Sequence, residues 1–341
     1  MRRVGSVLLL GASLLVALAG IEAFLRLANL GVTEYAYNLR KYSHLITWDA
    51  AGGFTRHYAG TSASVWGVPM RFNAAGMRDV DHVPQKPSGT LRVLVLGDSV
   101  AAGLGVPFEE TFVRRLGPLL SESLGRPVEV IGAAVPGWNT VAERNYLRAE
   151  GLALAPDVVL VVYVTNDNAV ALPWAPAPTP PVSTRVLRWL TTRSRLAELA
   201  AYAYRRRWPA EPDAGKWQIL RDMKQARERR ATEPHVFEPD DPGWQASRQA
   251  LEDMAAMARA AHARFAVVLF NLGGPDAPAV TARLAEFSAA TGVPWADSLP
   301  WFEGREATTM LNSSLHPNAE AHGILAAGMA RTVTALGLRD Q

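Results

Sequence analysis

Four short segments of this 341-residue chain hold side chains that together can do acyl chemistry. Gly97-Asp98-Ser99 offers a hydroxyl nucleophile. Ala134-Val135-Pro136-Gly137-Trp138-Asn139-Thr140 offers a glycine whose backbone can be approached closely. Thr165-Asn166-Asp167 offers a side-chain amide, and Leu315-His316-Pro317-Asn318 an imidazole. A serine hydroxyl is a weak nucleophile and needs an adjacent base. The oxygen that turns negative during acyl transfer needs donors aimed at it, and a glycine N–H and an asparagine amide are such donors. On this reading Ser99 is the nucleophile, His316 the base, and Gly137 and Asn166 the oxyanion donors. The chain has no cysteine, which excludes a thiolate nucleophile, a disulfide framework and a thiolate metal centre. Each segment alone is a weak signal, because Gly-Asp-Ser is a common tripeptide and a lone histidine before a helix is more often a cap or a surface residue.

The weight comes from the elements that must position them. Arg92–Leu96, Val128–Ile131, Val158–Val164, Phe265–Phe270 and Val293–Ala296 are short, mostly apolar runs that read as buried strands. Between them Glu109–Leu124, Thr140–Glu150, Trp244–Ala263, Ala279–Thr291 and Asn318–Leu336 read as helices, several stopped by a glycine. Strands alternating with helices of this length predict a three-layer α/β/α sandwich around a parallel, flavodoxin-like sheet. Ligands bind such sheets at the carboxyl ends of the strands. Ser99 follows the first strand, on what reads as a sharp strand-to-helix turn. Gly137 follows the second strand and Asn166 the third, while His316 precedes the last helix, so all four can meet on one rim.

With these four motifs in this order, residues 90–337 resemble the SGNH (GDSL-type) esterases and acyl hydrolases. The resemblance implies that the family's serine, glycine, asparagine and histidine correspond to Ser99, Gly137, Asn166 and His316. It implies a serine hydrolase acting on ester-linked acyl groups with neither metal nor organic cofactor. One departure stands out. The family usually has an aspartate three residues before the histidine, and this chain has Ser313. Ser313 or a backbone carbonyl would then orient His316, or Asp297, after the fifth strand, would replace the acid, or the site would be inactive. Two other readings share these residues: an O-acyltransferase or deacetylase acting on an envelope polysaccharide, and a non-catalytic binding module that keeps the fold. The expected partner is an acyl ester, carried on a glycan or a lipid.

The rest of the chain is uneven. Val4–Ile21 carries no charge and follows Arg2 and Arg3. With Phe24 and Leu25 it approaches the ~20 residues of a membrane span, and the basic flank should stay cytoplasmic. Residues 1–28 are read as a single-pass anchor of the cytoplasmic membrane, with the catalytic domain in the periplasm; the competing reading is a signal peptide cleaved after Ala17-Leu18-Ala19. Residues 29–90 read as an irregular extension, with a short strand into an Asn/Gly turn over Arg71–Arg78, a stretch that also looks like membrane-anchored members of the family, and a linker from Pro84 to Gly89. Within residues 91–341, the segment 173–243 is an insertion rich in proline, arginine and tryptophan (Trp174, Trp189, Trp208, Trp217), read as either a substrate cap or a solvated helical hairpin. The net charge of +3 is small and does not point to nucleic acid. His44, His57, His82, His235, His262 and His322 show no metal-ligand spacing and read as scattered surface residues.

Overall fold

The computed structural model describes residues 2–28, 30–32, 35–168, 182–207, 237–312 and 314–338. The chain opens with the apolar helix α1 (Arg2–Leu27) and a short helix α2 (Tyr35–Tyr42). Two hairpins follow, β1 (Ile46–Asp49) with β2 (Phe54–His57), and β3 (Ser62–Val65) with β4 (Val68–Arg71). The stretch from 29 to 90 is therefore more regular than its sequence suggests. Its strands are four residues long, too short for alternation to show. One turn is legible in hindsight: Trp66 and Gly67 both have positive φ, the requirement of a two-residue hairpin turn of type I′. Arg71 ends a strand rather than starting one. Residues 72–78 form a turn around Asn73, whose side-chain oxygen accepts from the N–H groups of Ala75 and Met77.

The main sheet is built as expected. Its five strands are β5 (Leu91–Gly97), β6 (Val128–Ala134), β7 (Val158–Tyr163), β8 (Arg264–Leu269) and β9 (Trp295–Asp297), all parallel, in the spatial order β6-β5-β7-β8-β9. Side chains alternate between its faces. Leu94, Leu96, Val159, Val161 and Val267 join one core cluster, and Val93, Val95, Leu160, Val162 and Val268 join the other. The first face is covered by α4 (Thr140–Ala149), α7 (Pro242–Ala260), α8 (Ala277–Thr291) and residues of the N-terminal hairpins such as Phe54 and Val65. The second is covered by α3 (Phe112–Leu124) and α9 (Ala319–Thr334), through Phe112, Leu116, Leu325 and Met329. The strand order reverses direction between β5 and β7, and such a switch point opens a crevice at the carboxyl ends of the strands.

Three local readings change. The helix expected from Glu109 starts instead at Phe112, because Thr111 caps it by accepting from Arg114 N–H; a short 3-10 turn, Phe108–Glu110, precedes it. Ser99 therefore opens a series of turns rather than a helix. The segment from Pro84 is no loose linker. Arg92, fully buried, donates to the carbonyls of Val83, Pro84 and Leu154 and to Glu129, and Lys86 pairs with Asp157. Within the 173–243 insertion, α5 (Val182–Arg193) and α6 (Arg195–Arg207) pack on the N-terminal part of the chain. Glu198 pairs with Lys41 in a buried bridge, Tyr202 meets the edge of Tyr37, and Arg195 donates to the Gly67 carbonyl. The proline-rich start of the insertion, Trp174, Trp208, Trp217 and His235 lie outside the described residues.

The N-terminal part also reaches the main domain's first loop. Arg78, 5% exposed, donates to the carbonyls of Ala102, Gly103 and Val106. Burial lowers its pKa to about 10, so it stays charged at neutral pH, and charge-assisted hydrogen bonds of this kind are the stronger ones. Arg78→Met keeps the stem and removes the three donors. Thermal or urea unfolding should show a loss on the order of 2 kcal/mol, with a larger fall in any activity that depends on Ser99.

Candidate active site

Ser99 stands two residues beyond the buried end of β5. The turn it opens is tight: Ala102 N–H donates to Asp98 O and Leu104 N–H to Ser99 O. Gly97 permits it, since a Cβ there would lie 2.6 Å from the Ala101 Cβ. Asp98 is 2% exposed. Its Oδ1 accepts from Val100 N–H at 2.8 Å, and its Oδ2 accepts from the Ser99 hydroxyl and from the Asn166 amide, each at 3.1 Å. One carboxylate thus joins the loops that follow β5 and β7. Asn166 lies in the 3-10 turn Thr165–Asn168, which Asp167 closes by accepting from Val164 N–H. The Asn166 amide has two N–H groups; one is directed to Asp98 and the other remains for a ligand.

Gly137 lies on the same rim. Val135 N–H donates to Gly97 O, tying the end of β6 to the end of β5. Gly137 is exposed and has φ +89°, a backbone that a side chain would strain. Trp138 is buried against Phe54 and Tyr146 and donates its indole N–H to Thr55 O, and Asn139 caps α4 by accepting from Ala142 N–H.

His316 comes from a turn that Asn312 organises. The Asn312 Oδ1 accepts from Ser314 N–H and the Ser314 hydroxyl, and its amide donates to Leu104 O, in the loop that starts at Ser99. Asn312 N–H also donates to His316 O. The Nδ1 of His316 lies 2.8 Å from the Ser314 carbonyl and 3.2 Å from the Ser314 hydroxyl. The hydroxyl proton goes to Asn312, so Nδ1 carries the ring proton and Nε2 is the basic nitrogen. Leu315, between them, has φ +61°, a left-handed conformation that costs a branched residue about 1–3 kcal/mol. Burial lowers the His316 pKa, while the negative charge of Asp98 and the hydrogen bond to Ser314 raise it. The net shift is downward, so the ring is a neutral base at neutral pH.

The structure therefore brings Ser99, Asn166, Gly137 and His316 to one rim, with Ser99 directed at Asp98 rather than at His316. Asp297 is not part of this group. At the end of the edge strand β9, its Oδ2 accepts from Asn271 and Thr281 and its Oδ1 from Leu299 N–H. It closes its own turn and is not an orienting acid for His316. Ser313 lies outside the described residues. Two histidines read as surface groups are buried. His57 stacks on Phe72, and its ring N–H reaches Gly76 O; His322 stacks on Phe112 and accepts from its N–H. Burial lowers each to about 3, and both serve the scaffold. No group of residues that could hold a metal ion occurs among the described residues. A cavity of about 540 Å³ between the C-terminal halves of α3 and α9, near Leu119 and Thr334, is lined by none of the four motifs.

Two further residues organise this site, Asp98 and Asn312. Asp98 lies inside Gly97-Asp98-Ser99, where residue order does not single it out. Asn312 had a signal, since Asn two residues before Ser314 is a local turn former. Asn312→Ala should unlatch the His316 turn from Leu104, lowering kcat on ester substrates by about ten-fold or more, part of the roughly 10²–10⁴-fold that a positioned general base contributes, with KM little changed. The acidic limb of kcat/KM should fall below ~6.5, the ordinary histidine value. Asp98→Asn removes a charge that raises the His316 pKa, so it should move that limb to still lower pH; a pH–rate profile of both proteins checks the direction.

Residues 95–324 match the GDSL-like Lipase/Acylhydrolase family. Solved structures with a similar fold include the lipase Lip_vut3 from a goat rumen metagenome, at 18% identity over 71% of this chain and 97% of that one, TM-score 0.43. The psychrotrophic esterase EstA from Pseudoalteromonas sp. is 17% identical over 72% of this chain and 97% of that one, TM-score 0.42. The acetylxylan esterase Axe2 from Geobacillus stearothermophilus is 12% identical over 71% and 94%, TM-score 0.43. No curated protein matches the chain. The family match spans more than half of the chain and contains Ser99, Gly137, Asn166 and His316, and the chain belongs to the GDSL-like lipase/acylhydrolase (SGNH) family of ester hydrolases.

Proposed function

We propose that this protein is a serine esterase or acylhydrolase, held at the cytoplasmic membrane by α1 and working on the periplasmic side. The observation that carries the catalytic part is the shared oxygen of Asp98, which gathers Ser99 and Asn166 beside a histidine whose proton is fixed on Nδ1.

In the reaction, the Ser99 hydroxyl turns from Asp98 to His316 Nε2, which takes its proton as Oγ attacks the ester carbonyl. The carbonyl oxygen becomes negative and is received by the N–H groups of Ser99 and Gly137 and by the second N–H of Asn166. The imidazolium returns its proton to the leaving alcohol as the C–O bond breaks, leaving an acyl group on Ser99. Water then attacks this ester, giving a proton to His316, and the acid leaves as Ser99 regains its hydrogen. Where relatives have an aspartate, this chain has Ser313. The Ser314 carbonyl orients the ring in its place, and Asp98 supplies the negative charge that the imidazolium needs. That division of labour accounts for how an active enzyme works without an acid three residues before its histidine.

The membrane part is supported by Ser6–Leu27, 22 residues of mean hydropathy 2.3 whose apolar side chains are exposed, Leu25 excepted. At ~1.5 Å per residue such a helix is long enough to cross a ~30 Å hydrocarbon core. It runs unbroken through Ala17-Leu18-Ala19, and at its far end Glu22 accepts from Ser194 and from the N–H groups of Arg195 and Leu196, capping α6.

A fluorophosphonate should label the wild type and not Ser99→Ala. Short-chain nitrophenyl esters, an acetylated oligosaccharide and phospholipid vesicles then separate a general esterase from a glycan deacetylase and a lipase. A wild type that neither labels nor turns over any of the three would overturn the hydrolase reading. If the full-length gene product is recovered with its N-terminus at Gly20 and leaves the membrane in alkaline carbonate, the anchor is overturned.

A further inference from the structure

Glu143 lies in the first turns of α4, six residues after Gly137. It is fully buried, and neither carboxyl oxygen has a hydrogen-bond partner among the described residues. An isolated carboxylate in such a place would cost far more than the neutral acid, and buried charges are ordinarily paired. Among the described residues nothing pairs with Glu143. On its own helix, Arg144 and Arg148 turn to Asp253 of α7, and Glu150 is held by Arg56 of β2, which also contacts Asp49. On α7, Glu252 pairs with Arg248. His57, at the end of β2, bonds to Gly76 O and Tyr42. Asp167 turns an oxygen to Val164 N–H, and Arg92, at the start of β5, is committed to Glu129 and three carbonyls. The charge that does act on Glu143 is Asp98, just beyond the end of β5, and it is of like sign. Asp98 is the better hydrogen-bonded member, with three donors on its two oxygens.

We propose that Asp98 and Glu143 are an acid pair holding one proton between them: Glu143 keeps the proton, and Asp98 keeps the single negative charge that faces His316. Glu143 is then a positioning residue, acting through Asp98 and touching no substrate. Burial and the Asp98 charge both push its pKa well above the carboxylate range, which agrees with that assignment. The catalytic meaning rests on the reading of Ser99 and His316 given above. The proton assignment does not, and can be tested in a protein with no measurable activity.

The test is a thermodynamic cycle in Glu143→Gln, Asp98→Asn and the double variant of the full chain, by urea unfolding against pH. In the unfolded chain Glu143 ionises above ~4.3, while in the folded protein it stays protonated. The wild type therefore loses stability as pH rises above that value, and Glu143→Gln does not. The stability of Glu143→Gln relative to wild type should climb by up to about tenfold in the folding constant per pH unit. In the Asp98→Asn background the repelling charge is gone, so the climb should level off at lower pH. A relative stability that is flat with pH would mean Glu143 is ionised when folded and would overturn the proposal. A climb identical in both backgrounds would overturn the pairing with Asp98. If the enzyme is active, Glu143→Gln should leave the acidic limb of kcat/KM in place where Asp98→Asn moves it; a limb moved equally by both would place the charge on Glu143 instead.

Discussion

One carboxylate oxygen holds this site together. Asp98 Oδ2 receives the Ser99 hydroxyl and the Asn166 amide, which arrive from the loops after β5 and β7, on either side of the sheet's switch point. A buried anion is tolerated only when donors replace the water it has lost, so Asp98 draws these loops together to satisfy itself. The order Gly-Asp-Ser then has a physical logic. The glycine lets the chain turn tightly against Ala101, the aspartate organises the floor of the site, and the serine is left at its surface. The same charge acts on His316 from across the site, and the proposed role of Asp98 during turnover grows out of a job it already does at rest.

The remaining precision is supplied from outside the sheet. Arg78 reaches in from the N-terminal part of the chain to hold three carbonyls of the loop after Ser99, and Asn312 reaches from the other direction to Leu104 in that loop. The nucleophile's loop is pinned on both sides by side chains distant in sequence. His316 is held by backbone and by Ser314, which fixes its tautomer without a charged neighbour on its own turn. Such a histidine is well oriented, and the charge that supports it comes from Asp98 rather than from its own turn, which is how the proposed proton balance of Asp98 and Glu143 bears on it.

Much of this was readable from residue order. The five strands are mostly apolar because both faces of the sheet are covered, and the helices carry their caps at Thr111, Asn139, Asp241 and Asn318. Three site motifs follow strand ends, and the fourth, at His316, precedes the last helix. What could not be read is long-range or short-period. The hairpins of the N-terminal part are too brief to alternate visibly. His57 and His322 look like solvent residues until Phe72 and Phe112 are placed against them. Asp297 is a plausible acid by position and is taken up by Asn271 and Thr281, neither of them near it in sequence. Glu143 reads as an ordinary polar residue on a helix, and only the packing of α4 over the sheet turns it inward.

Arg92 draws a line that the sequence does not. It opens the main sheet, yet its guanidinium is spent on Val83 and Pro84, which precede the sheet, as well as on Leu154 and Glu129 within it. The Pro-Gln-Lys-Pro stretch looks like a seam between two pieces, but its beginning is sealed by a cation that cannot face water. A border in composition is here crossed by hydrogen bonds. A truncated version beginning at the sheet would leave the buried guanidinium with Leu154 and Glu129 alone, two of its donors stripped of their carbonyl partners. Part of the interior of the sheet domain is thus furnished by the residues that precede it.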